Sequence, residues 1–194
     1  MNESSDLEVK LIPVILERHS PRSFNPDRPL GREVVMSLLE AARWAPSSGN
    51  SQPWFYIVFD GTVPESLEKA RETLDDGNRV WAGQAPVLLL ACSRVTRKNG
   101  KPQRYGEHDL GLANENLLLQ ATSMGLHVHP MAGFDKKRAR EEFSIPESYQ
   151  PMVMIAVGYP GDLDDLPEDL REREVKPRER KSLDKIVSWG EWRR

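Results

Sequence analysis

Apolar residues along this chain recur with two periods, and their alternation predicts a mixture of helices and strands. Val34, Val35, Leu38, Leu39 and Ala42 fall on one stripe of a helix over residues 31–44, which Pro46 ends. Leu110, Ala113, Leu117 and Ala121 mark the longest helix, over residues 109–124, with Gly125 as its stop. Shorter helices are predicted over residues 11–16, 65–74 and 135–143. Pro13 suits the first turn of the first of these, and Asp135 the N-cap of the last. Residues 54–59 are aromatic and β-branched and predict a strand. The Val/Leu-rich runs 85–92 and 153–157 predict buried strands, and 126–129 a short one. No strict strand–helix–strand rhythm runs through the chain, which favours an α+β fold over a doubly wound one.

The pattern then breaks. Of the 21 residues from 161 to 181, 14 are charged, eight acidic and six basic, which predicts an exposed arm. Yet Leu183, Ile186, Val187, Trp189 and Trp192 follow it, and an apolar terminus needs a surface to pack on, its own or a second subunit's. The basic stretch 95–105 reads as an exposed turn, while Trp44 and Trp54 read as core. At 194 residues the chain suggests one domain, residues 1–194. The net charge of -3 argues against a general nucleic-acid binder. The longest apolar run, 85–92, is far short of the ~20 residues of a membrane span. A single cysteine, Cys92, and a polar N-terminus point to the cytoplasm.

Familiar catalytic signatures are missing: there is no G-x-G-x-x-G, P-loop, H-E-x-x-H or G-x-S-x-G. His127 and His129 lie on one side of a strand, but a metal there needs further ligands. Two other blocks carry more chemistry. Arg18-His19-Ser20-Pro21-Arg22 offers two guanidiniums, an imidazole and a hydroxyl, a donor set suited to phosphate. Basic residues at a helix C-terminus also serve the helix dipole. Pro46-Ser47-Ser48-Gly49-Asn50-Ser51-Gln52-Pro53-Trp54 packs hydroxyls and amides into a loop before a strand. Such amides can read the edge of a heterocycle, or simply shape a turn.

Together these blocks, with Ser23-Phe24 after the first, resemble the FMN-dependent nitroreductase family. Asp109-Leu110-Gly111-Leu112-Ala113, Pro130-Met131-Ala132-Gly133-Phe134, Val157-Gly158-Tyr159-Pro160 and Arg180-Lys181-Ser182-Leu183 continue the resemblance in order, over residues 11–188. It implies an α+β nitroreductase-like sandwich, with a central mixed or antiparallel sheet flanked by helices. It also implies an intertwined homodimer with FMN at the subunit interface, residues 161–194 forming an arm that reaches the partner. By position, Arg18, Ser20 and Arg22 would hold the FMN phosphate and ribityl chain, with His19 nearby and Arg180 and Lys181 adding charge. Ser47, Ser48, Asn50 and Gln52 would approach the isoalloxazine ring, in part from the other subunit. Pro130, Met131, Ala132 and Gly133 would pass along the ring face, with the Gly133 backbone near the reactive nitrogen. Several relatives carry an acidic residue in this turn, where this chain has Met131-Ala132.

The implied activity is transfer of electrons from NAD(P)H through the flavin, with ping-pong kinetics, to a small nitroaromatic, quinone or similar acceptor. No protein nucleophile is then required, because the cofactor carries the hard chemistry. Reductive dehalogenation, oxygen-dependent flavin fragmentation and a sensory flavoprotein are the alternatives. Trp81, Arg94, Arg97, Lys98, Lys101, Arg104 and Tyr105 are candidates to overhang the site, or are solvated loop residues.

Overall fold

A central strand buried along all but its last residue organises the molecule. In a computed structural model, which describes residues 10–97 and 99–192, the run Val87–Arg94 is the second of four strands. The strands are β1 (Trp54–Phe59), β2 (Val87–Arg94), β3 (His127–Met131) and β4 (Tyr149–Gly158). They form one antiparallel sheet in the order β1-β2-β4-β3. Side chains alternate across a strand, so β2 feeds two cores. Val87, Leu89 and Ala91 pack with α2 (Arg32–Arg43) and α5 (Gly106–Ser123). Leu88, Leu90 and Cys92 pack with α3 (Pro64–Thr73), α4 (Asp76–Ala82) and α6 (Lys136–Glu142). Helices therefore cover both faces, the three-layer arrangement in which an inner strand reads as continuously apolar.

Most predicted elements stand where the periodicity put them. The first helix is short, α1 (Pro13–Glu17), with its proline in the first turn. The Asp135 carboxylate accepts the Arg138 N–H at 2.9 Å and caps α6. Three findings correct the sequence reading. Helix α4 was not anticipated, and it forms behind the Asp75 cap with Trp81 buried at 2% exposure. Trp81 therefore lies in the core rather than over a site, whereas Trp44, expected inside, is 74% exposed. The charged arm is not wholly solvated: α7 (Glu168–Glu174) forms in it, and Leu166 and Leu170 are buried in the core shared by Leu88, Leu90 and Cys92. Lys98, one of the candidate overhanging residues, and residues 1–9 of the polar N-terminus lie outside the described residues.

A large apolar surface stays open in the single chain. Leu11, Ile12, Ile15 and Leu16 around α1 are exposed, as are Met36, Leu183, Ile186, Val187 and Trp189. Exposed apolar side chains become an association surface where they form a continuous patch. Among the described residues no helix is long and apolar enough to cross a membrane.

Candidate functional site

The arginine motif is held against the sheet edge by two imidazoles. Residues 21–24 follow α1 and run beside β3, which is an edge strand. The Nδ1 atoms of His127 and His129 lie 2.6 Å from the Ser23 carbonyl and 3.1 Å from the Pro21 carbonyl. A carbonyl only accepts, so each Nδ1 carries the proton and donates. Burial pushes the His129 imidazolium down to about pKa 4, with the Arg22 and Arg18 charges adding to the effect. Burial also lowers His127. Both rings are neutral at physiological pH and act as fixed donors.

Around this clasp the motif side chains converge. Arg22 pairs with Glu174 at 2.8 Å and lies over the Trp81 ring, 5.9 Å from its centroid. Trp81 in turn packs on His129 at 4.3 Å and stacks on Phe24. Arg18 donates to the Ser20 hydroxyl at 3.3 Å, and His19 is exposed. A cavity of about 220 Å³ opens between His19, Pro21, His127 and Pro160. The arm passes here as well: Arg178 donates to the Arg18 carbonyl at 2.7 Å and to that of Leu16, satisfying groups left open where α1 ends. Arg180 and Lys181 are exposed two and three residues further on, and Arg180 donates to the Glu179 carbonyl.

The turn after β3 completes this corner. Strand β3 continues through Pro130 and Met131, so the predicted turn is confined to Ala132 and Gly133. The Met131 side chain is buried in the core and can offer only its backbone. The Gly133 carbonyl accepts from the Asn78 side chain at 2.9 Å and the Asp75 N–H at 3.2 Å. A Cβ on Gly133 would sit 2.1 Å from the Asp75 carboxylate, so any other residue there would displace the Asp75 and Asn78 side chains.

The amide loop is a separate construction. Gly49, Asn50 and Gln52 all adopt positive φ, at 60°, 52° and 43°. That conformation is costly for glutamine and persists only where surrounding contacts impose it. They do: Asp109, buried at the start of α5, accepts the Ser48 N–H at 3.0 Å, and the Ser47 hydroxyl accepts the Gln52 N–H at 3.0 Å. Gln103 donates to the Ser51 hydroxyl at 2.7 Å, and Gln52 to the Asn50 side chain at 3.1 Å. The Asn50 and Gln52 side chains remain exposed.

These two constructions stand at opposite corners of the sheet. The amide loop leads into Trp54 of β1, level with Ser93 and Gln150, whereas His127 of β3 is level with Gly158. Three strand spacings separate them laterally, about 14 Å, and eight residues of β4 separate them lengthwise, about 27 Å. The predicted site residues thus fall into two groups. Arg18, His19, Ser20, Arg22 and the 130–133 segment come together; Ser47, Ser48, Asn50 and Gln52 stand apart. Glu174, Arg178, Asp75, Asn78 and Gln103 were not singled out from sequence, since polar residues in charged or turn-rich stretches carry no periodic signal there.

The donor chemistry fits FMN when the corners are combined. The first corner supplies cations for a phosphate; the second supplies exposed amides for a ring edge. Ligand pockets usually occupy about 300–1,000 Å³, and the cavity beside His19 measures about 220 Å³. Among the described residues no group of three or more metal-ligating side chains occurs; His127 and His129 are committed to backbone carbonyls.

Comparison with known proteins points to one family. The sequence profile of the Nitroreductase family matches residues 15–159. An Archaeoglobus fulgidus protein carrying the provisional name NADH dehydrogenase/NAD(P)H nitroreductase is 32% identical over 154 residues, 77% of this chain and 84% of its own. A crystal structure described as an oxidoreductase containing FMN superposes with a TM-score of 0.90 at 36% identity, covering 96% of this chain and 94% of that one. A nitroreductase family protein from Clostridium difficile 630 superposes with a TM-score of 0.73 at 27% identity, over 95% of this chain and all of the other.

Proposed function

Because the chain belongs to the nitroreductase family, we propose that it is an NAD(P)H-dependent FMN oxidoreductase acting as a homodimer on nitroaromatic, quinone or similar electron-poor acceptors. The observation that carries this reading is the separation of the two half-sites. A two-fold related copy would bring the Asn50–Gln52 corner of one subunit against the Arg18–Arg22 corner of the other, as symmetric dimers allow. Each copy is one FMN-binding unit; the arm of residues 161–194 first packs on its own chain through Leu170, Glu174 and Arg178, and the residues beyond Arg180 would extend to the partner.

Arg18, Ser20 and Arg22, with His19, Arg180 and Lys181, would hold the phosphate and ribityl chain. The guanidiniums supply charge, and the His127 and His129 clasp fixes where the motif lies. Asn50 and Gln52 would meet the ring edge, with Ser47 and Ser48 beside them. Pro130 to Gly133 would border the ring through backbone groups, held by Asp75 and Asn78. Bound FMN would accept electrons from NAD(P)H and pass them to the acceptor. The exposed apolar surface of α1 and the terminus, including Ile186 and Trp189, supports pairing of two chains.

The test is a visible spectrum of the purified protein, before and after NAD(P)H without oxygen. Flavin bands that bleach are expected. A colourless protein that takes up no added FMN would refute the reading.

A further inference from the structure

Between residues 94 and 104 the sequence places Arg94, Arg97, Lys98, Lys101 and Arg104 with no acidic residue, in a chain of net charge -3. The structure folds this stretch into a small hairpin. Thr96 bridges Pro102, the Arg97 N–H reaches the Lys101 carbonyl at 2.8 Å, and the Gln103 N–H reaches the Val95 carbonyl at 2.8 Å. Val95 is tied to the Ser148 carbonyl at 2.8 Å, which fastens the hairpin to the start of β4.

Gln103 connects the hairpin to the amide loop. It is buried, and its amide is used in both directions: the oxygen accepts from Arg97 Nε at 2.6 Å, and the nitrogen donates to the Ser51 hydroxyl at 2.7 Å. This holds the Arg97 guanidinium within about 8 Å of Ser51, counting the short span of the amide itself. Arg97 is exposed, and its two Nη groups face no carboxylate among the described residues. Lys101 and Arg104 are exposed beside it. A guanidinium fixed through Nε, with Nη donors open, is prepared for a phosphate.

We propose that Arg97, positioned by the Gln103–Ser51 relay and supported by Lys101 and Arg104, binds the phosphate groups of the nicotinamide dinucleotide donor. This rests on the flavin-oxidoreductase reading, in which the Asn50–Gln52 loop borders the ring where nicotinamide stacks. One ribose separates nicotinamide from the first phosphate, so a cation one amide away from that loop is suitably placed.

The experiment compares the FMN-loaded parent with Arg97→Gln in anaerobic flavin reduction. Three donors are used: NADH, NADPH and N-benzyl-1,4-dihydronicotinamide, which carries no phosphate. The variant should need roughly tenfold to a hundredfold more dinucleotide for half-maximal reduction, the range of a lost charge-assisted contact. The phosphate-free donor should shift less than twofold. An effect on both dinucleotides assigns the diphosphate; an effect on NADPH alone assigns its 2′-phosphate; either supports the proposal. Equal loss with all three donors means a disturbed loop and overturns it, as does no change with any. A parent flavin that no donor reduces overturns the flavin reading and this inference with it.

Discussion

Acidification from pH 7.5 to 5 should cost the flavin-free protein about 2 kcal/mol through His129 alone. The ring is held neutral in the native state, its pKa pushed down to about 4 by burial and by Arg22 and Arg18. In the unfolded chain it returns to about 6.5. Between these values the unfolded state binds more protons, so stability falls as pH falls. The contribution is fully present above pH 6.5 and fully lost below pH 4. Each pKa unit corresponds to about 1.4 kcal/mol, and most of the interval has been crossed by pH 5. The matched variant is His129→Asn, whose amide nitrogen can replace Nδ1 as donor to Pro21. It also loses ring packing on Trp81, a cost that does not depend on pH. Urea unfolding of both proteins at the two pH values, at one protein concentration and ionic strength, isolates the titration. His127 and the carboxylates remain in both and cancel. The parent should lose about 1.5–2 kcal/mol more than the variant. Equal losses, within about 0.5 kcal/mol, would show that His129 is not kept neutral and that the clasp is wrongly described.

Other consequences are as direct. Arg22→Ala should weaken FMN binding roughly tenfold to a hundredfold and leave the Glu174 carboxylate, 8% exposed, without its cation; unchanged affinity in a flavin-fluorescence titration would contradict the assignment. Glu174→Gln should instead hold FMN at least as tightly, because it removes a negative charge that Arg22 now neutralises. Gly133→Ala should destabilise the protein by about 1–3 kcal/mol in thermal unfolding, since its Cβ would overlap Asp75 and Asn78. Deleting residues 181–194 should lower dimer affinity in sedimentation, and an unchanged dimer would refute the reaching arm.

Local pattern carried far in this molecule. Strand β1 begins and ends where the aromatic run does, and α2 and α5 follow their stripes within a few residues. Both motif blocks were visible because each is continuous in sequence. Helix α4 was hidden because Gly77 and Asn78 weaken its propensity; the Asp75 cap and the burial of Trp81 outweigh them. Helix α7 was hidden for the opposite reason. Its charged surface resembles a linker, while Leu166 and Leu170 are buried in the core and Glu174 pairs with Arg22. The two tryptophans exchanged places because hydrophobicity states a preference for burial without naming the residue that obtains it. Trp44 lies just beyond the buried stripe of α2, while Trp81 is enclosed by Phe24 and His129.

By itself, the sequence determined the class of fold, the central buried strand, the charge balance and the identity of the phosphate-type and amide-type donors. These depend on composition and on spacings of a few residues. Tertiary structure alone decided that the two donor sets stand at opposite corners of one sheet. That outcome follows from the strand order β1-β2-β4-β3 and its register, which pairs residues far apart in the chain. It also decided that Gln103 joins the basic hairpin to the amide loop, and that His127 and His129 spend their Nδ1 donors on the backbone of the arginine motif. Hydrogen bonds between segments 52 to 108 residues apart leave no periodic trace, because their partners become neighbours only when the sheet assembles.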